Sequence, residues 1–115
     1  MNSLLMDKVK AQFVDYSTEH YLAWQEGDNK TANRLNNKLI NLYKKVKESE
    51  EQSIFVDFLN HKNEGVKLFS AVFLLKTNHE LAIDCLNKLV ELPGIISSQA
   101  KMTLYLWDRD ELDLL

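Results

Sequence analysis

Three histidines and one cysteine are the residues from which metal or nucleophilic chemistry would be built here. His79-Glu80 opens like a zinc-protease motif, but that chemistry needs a second His one helical turn later on the same face, and position 83 is Ile83. His20 and His61 have no Cys or His at ligand spacing, so all three imidazoles read as packing or surface groups. Cys85 falls in an apolar stripe, where a thiol lacks the electropositive, exposed setting and nearby base of a nucleophile. Ser97-Ser98 suits a helix cap, and the chain has neither a P-loop nor a GxGxxG turn to cradle phosphate. Carboxylates occur in groups, yet no His, Lys or metal-ligand set converges with them in sequence. The expectation is a protein that is not an enzyme, with no catalytic, cofactor or metal residue and no small-molecule substrate.

Charge is distributed unevenly. Residues 1–47 hold eight Lys/Arg against five Asp/Glu, a balance of +3, and residues 48–115 hold six against twelve, a balance of −6. Lys30, Arg34 and Lys38 make an i, i+4 ladder that Lys44, Lys45 and Lys47 extend, but no aromatic residue interleaves it and Asn33, Asn36, Asn37 and Asn41 dilute it. A solvated helix face explains it better than nucleic-acid binding. The acidic end, Asp108-Arg109-Asp110-Glu111-Leu112-Asp113, directly follows Trp107, the expected last buried aromatic. Because Trp107 would fix that segment to the core, Asp108, Asp110, Glu111 and Asp113 with Trp107 are the candidate partner-binding residues. Leu112, Leu114 and Leu115 would add apolar area. Glu48, Glu50, Glu51 and Asp57 form a second acidic group. An acidic second half suits a basic partner, since fields of this kind mainly steer encounter.

The elements that would position these residues are helices. Three Gly and one Pro are too few for a barrel or sandwich of short strands, and 45% apolar residues fill one core in a chain of 115 residues. Leu5, Val9, Phe13, Tyr16, His20 and Trp24 keep helical spacing until Gly27 stops the first helix. Asp28 can cap a second with the stripe Ala32, Leu35, Leu39, Leu42 and Val46. Ser49 and Gln52 have capping-box spacing ahead of a short third through Ile54, Phe55, Phe58 and Leu59. Asn63 can cap a fourth that is apolar on nearly every side from Val66 to Leu75, the expected core helix. Asn78 begins a fifth through Leu81, Cys85, Leu86, Leu89 and Val90 that Leu92-Pro93-Gly94 ends, and Ser97 or Ser98 can open a sixth carrying Ala100, Leu104 and Trp107.

A shift of 34 residues aligns Tyr21, Phe55 and Leu89; Trp24, Phe58 and Leu92; Ala32, Val66 and Ala100; and Leu39, Phe73 and Trp107. A period of that length fits stacked antiparallel helical hairpins in one domain spanning 1–115. The lone Cys85 cannot form an internal disulfide, and neither a secretory signal nor a spanning helix is legible, so a cytoplasmic protein is expected.

Phe58-Leu59, Asn63, Val66-Lys67, Ala71, Leu74-Leu75, Ala82, Leu86, Leu89, Ala100-Lys101, Leu104 and Trp107 together resemble HEAT-like repeats. The segment is similar in particular to a small bacterial family of stand-alone HEAT-like domains of unknown function, in which a Val-Arg/Lys pair opens a core helix and a C-terminal Trp closes the last one. The resemblance implies an all-α, HEAT-like solenoid of about six helices. Members of such families are found as immunity proteins encoded beside polymorphic or contact-dependent toxins, often basic nucleases. It therefore implies a non-catalytic domain that binds and blocks a cognate toxin domain, with no toxin-contacting residue carried over as a shared motif. The alternatives are a small adaptor or regulatory scaffold with another protein partner and, last, nucleic-acid binding through the Lys-rich second helix.

Overall fold

The computed structural model describes residues 1–112. Its elements are α1 (Ser3–Glu26), α2 (Asn29–Glu48), a 3-10 helix (Gln52–Asn60), α3 (Glu64–Leu74), α4 (His79–Val90) and α5 (Ile95–Asp108). They stack as three hairpins, α1 with α2, the 3-10 helix with α3, and α4 with α5. The aligned Ala32, Val66 and Ala100 fall near the start of the second helix of each pair, and all three are buried.

α3 is the central element. It packs against α1, the 3-10 helix, α4 and α5, and every residue from Gly65 to Leu75 is buried except Lys67. The Asn63 side chain caps it, accepting hydrogen bonds from the Gly65 and Val66 amides. Around Phe73 the rings of Phe13, Phe55, Phe69 and Tyr43 lie 4.6–6.0 Å away between centroids, a tilted and offset cluster that ties the first four elements together. Tyr21 donates to Glu64 Oε2 at 2.6 Å across the α1–α3 crossing, and burial together with this carboxylate pushes its phenol up to about 12.

Several local expectations are corrected. The third helix is a 3-10 helix nine residues long, unusual for a form generally confined to short runs. Ile54, Phe55, Val56 and Phe58 are weak α-formers, and the i, i+3 eclipse of the tighter helix sets Phe55 and Phe58 on one ridge, both against Phe13 at 4.9 and 5.2 Å. Ser49 does not open it: Ser49 closes α2, with its Oγ donating to the Lys45 carbonyl. Nor does Ser97 or Ser98 cap α5, which starts at Ile95; the Ser97 hydroxyl instead donates to the Val90 carbonyl at 2.7 Å and ties the start of α5 to the end of α4. Asn78 stands at the head of α4 without a side-chain capping bond. Leu5 and Leu81, assigned to apolar stripes by spacing, are exposed, and Ser17 and Ala23 are buried on α1 in addition to Val9, Phe13 and His20.

Candidate functional site

The C-terminal end of α5 is built as a fixed turn. Asp110 has a positive φ of 56°, the Glu111 amide donates to the Leu106 carbonyl at 2.8 Å, and the Asp110 amide donates to the Trp107 carbonyl at 3.1 Å. This pair of bonds is the Schellman closure, which satisfies helix-end carbonyls by turning one residue left-handed. Leu112 then packs against the core, so the carboxylates of Asp108, Asp110 and Glu111 project from a turn held at both ends. All three residues are exposed. Glu111 accepts from Arg109 Nε at 3.0 Å, and the Arg109 guanidinium also lies 5.3 Å from the Tyr105 ring centroid. Asp108 and Asp110 have no ion-pair partner among the described residues and carry the net negative charge of the turn.

Trp107 is half-buried rather than fully buried. It closes the last hairpin from the edge of the core, its ring 5.7 Å from that of His79 at the head of α4. Only part of its ring is covered, where a fully buried aromatic was expected. Asp113, Leu114 and Leu115 lie outside the described residues.

The second acidic group follows the same design. α2 ends in a Schellman closure with Glu50 at φ 55°, the Glu51 amide donating to Val46 and the Glu50 amide to Lys47. Glu51 is already engaged, accepting from the Met1 ammonium at 2.8 Å. α1 ends in the same kind of closure with Gly27 in the left-handed position, the residue this geometry favours. Glu50 and Asp110 occupy the equivalent strained position with acidic side chains.

The other candidates have structural explanations. His20 is 2% exposed, edge-on to Trp24 and Phe69 at 4.2 and 4.9 Å, and burial lowers its pKa to about 4. Its Nδ1 and the Ser17 hydroxyl one turn earlier are buried without a hydrogen-bond partner among the described residues. His61 Nδ1 accepts from the Asn63 amide at 3.0 Å. Burial pushes the Cys85 thiol up, and its S–H points at the Lys67 carbonyl, 3.8 Å from the sulfur. Among the described residues no group of three His, Cys, Asp or Glu side chains could hold a metal ion. On α2, Lys38 lies over the Tyr16 ring at 5.3 Å. The exposed Met102 and Tyr105 of α5 were missed by sequence reasoning, because periodicity marks apolar positions without saying which side of the last helix lacks a neighbour.

No protein-family model, curated protein or solved structure matches the chain. Among the described residues no helix is long and apolar enough to cross a membrane.

Proposed function

We propose that the chain is a non-catalytic protein-binding domain acting in the bacterial cytoplasm as an immunity protein, which binds a cognate toxin domain of basic, nuclease type and blocks it. The observation that carries this reading is the acidic turn at Asp108, Asp110 and Glu111, held rigid by the Schellman bonds and anchored by Trp107 and Leu112. A rigid charged surface loses little entropy on binding, and complementary charge raises the rate of encounter. The −6 balance of residues 48–115 extends the same field. The resemblance to stand-alone HEAT-like domains supplies the toxin class.

The test is protection of cells expressing a toxin encoded beside this gene. Replacing Asp108 and Asp110 by Asn and Glu111 by Gln removes the charge and keeps the fold, since Asn tolerates the left-handed conformation and a neutral side chain suits a helix C-terminus better than an anion. The neutralised protein should protect poorly, and its association with the toxin should depend less on salt. Full protection by that variant would remove the acidic turn from the interface. Failure of the wild type against every neighbouring toxin would leave the adaptor reading, which the exposed Met102 and Tyr105 favour because an apolar helix face does not require a basic partner.

A further inference from the structure

A groove of about 290 Å³ opens between the 3-10 helix and α4, with α3 beneath it. Val56, Leu59 and the polar Asn60 line one side, and Leu81, Leu89 and Leu92 the other. Leu81 is 48% exposed there, although its spacing places it in the core stripe of α4. The volume lies just below the range of about 300–1,000 Å³ typical of pockets for drug-sized ligands. The apolar body of a smaller molecule fits it.

The charge in the groove is unbalanced. Lys67 is the one residue between Gly65 and Leu75 that is not buried; it is half-buried, and no carboxylate pairs with its ammonium among the described residues. Lys88 and Asp84 also line the groove, but they pair with each other at 3.1 Å on the exposed rim. Cys85 sits on the floor, where burial above all pushes its thiol up, against the smaller opposing pull of the Lys67 and Lys88 charges. An ammonium without a counter-charge at the edge of an apolar groove favours an anion that can hydrogen-bond to it.

We infer that this groove binds a medium-chain carboxylate, its tail along Leu59, Leu81, Leu89 and Leu92 and its carboxylate on the Lys67 ammonium. The ligand is held without chemistry, and the inference stands independently of the toxin-binding reading. Cys85 serves as the reporter, because a tail on the groove floor covers its sulfur.

The full-length chain should be titrated with decanoate below its micelle threshold, by calorimetry and by the rate at which Cys85 is alkylated by N-ethylmaleimide, an uncharged reagent. Single-site binding and slower alkylation are expected. 1-Decanol, with the same tail and no charge, should bind more weakly and protect less. Lys67→Met keeps the apolar stem and should weaken decanoate about tenfold or more, the size of a lost hydrogen bond to a charged group. Leu81→Gln, at an exposed position that does not hold the fold, should weaken both ligands. Equal protection by decanol and decanoate, unchanged decanoate affinity in Lys67→Met, or Cys85 alkylated at the same rate with and without decanoate would each overturn the assignment.

Discussion

Gly65 of α3 meets Tyr21 of α1 with no room for a side chain: a Cβ on Gly65 would lie 2.6 Å from the Tyr21 Cβ and 2.8 Å from the Ser17 carbonyl oxygen. Neither neighbour is the end of a flexible side chain, so the two helix backbones would have to separate. The Tyr21–Glu64 hydrogen bond at the adjacent position resists that separation. Gly65→Ala should therefore destabilise the protein by about 1–3 kcal/mol, although Ala in a helix interior is otherwise favoured over Gly by about 1 kcal/mol. Thermal or urea unfolding measures it, and a variant as stable as the wild type would show that α1 and α3 can part without cost.

The stripe of α2 and the all-apolar α3 were legible because their periodicity is strong: Ala32, Leu35, Leu39, Leu42 and Val46 are all buried, as is α3 beyond Lys67. The Gly27 stop and the Asp28 and Asn63 caps were legible for the same reason, since each residue type matches one local geometry. The serine caps were not, because Ser49 and Ser97 spend their hydroxyls on carbonyls supplied by their surroundings, one at the preceding turn and one on another helix. At the acidic end, the sequence marks the charges and the anchoring Trp107. It does not mark the left-handed turn, which falls on Asp110 where a glycine would have signalled it. The Lys67 groove was equally hidden, since it depends on the gap between the 3-10 helix and α4.

His20 gives the fold a defined response to acid. Its folded pKa of about 4 lies below the ordinary 6.5, so the folded state holds the imidazole neutral while the unfolded chain takes up a proton. The sign follows: this contribution is fully present above pH 6.5, is lost as pH falls from 6.5 towards 4, and changes no further below that. A shift of that size corresponds to about 3 kcal/mol. Urea unfolding at a series of pH values from 7.5 to about 4 should show the decline, and His20→Leu, apolar in an aromatic cage, should flatten it. An equal decline in His20→Leu would assign the acid sensitivity to other groups.

Phe73 and Trp107 align at the shift of 34 residues but differ in burial. Phe73→Ala empties the centre of the ring cluster and should cost about 3–5 kcal/mol. Trp107→Ala removes a half-covered ring at the edge and should cost about 1–2 kcal/mol, and the exposed Lys44→Ala under about 0.5 kcal/mol. Chemical denaturation ranks the three. A Trp107 variant as damaged as the Phe73 variant would mean that the last hairpin depends on its edge more than its packing implies.

Glu50 and Asp110 hold the left-handed position of their helix ends with a Cβ present, which costs roughly 1–2 kcal/mol for Glu50 and less for Asp110, whose short side chain tolerates it better, where glycine has no such penalty. Each is also an anion at a helix C-terminus, where the dipole favours cations. Glu50→Gly and Asp110→Gly should therefore each raise stability, by about 0.5–1 kcal/mol after the greater freedom of glycine in the unfolded chain is counted. The two should differ in binding. Glu50→Gly leaves the proposed interface at α5 intact, whereas Asp110→Gly removes one of its two unpaired carboxylates. The melting temperature of each variant, set beside its association rate with the toxin at low and high salt, separates the effects. Both should melt higher than the wild type, and only Asp110→Gly should associate more slowly, with a weaker salt dependence because the screened charge is gone. If Asp110→Gly is stabilised and binds as fast as the wild type, the strained carboxylate has no part in recognition, and the acidic turn is a feature of the surface alone.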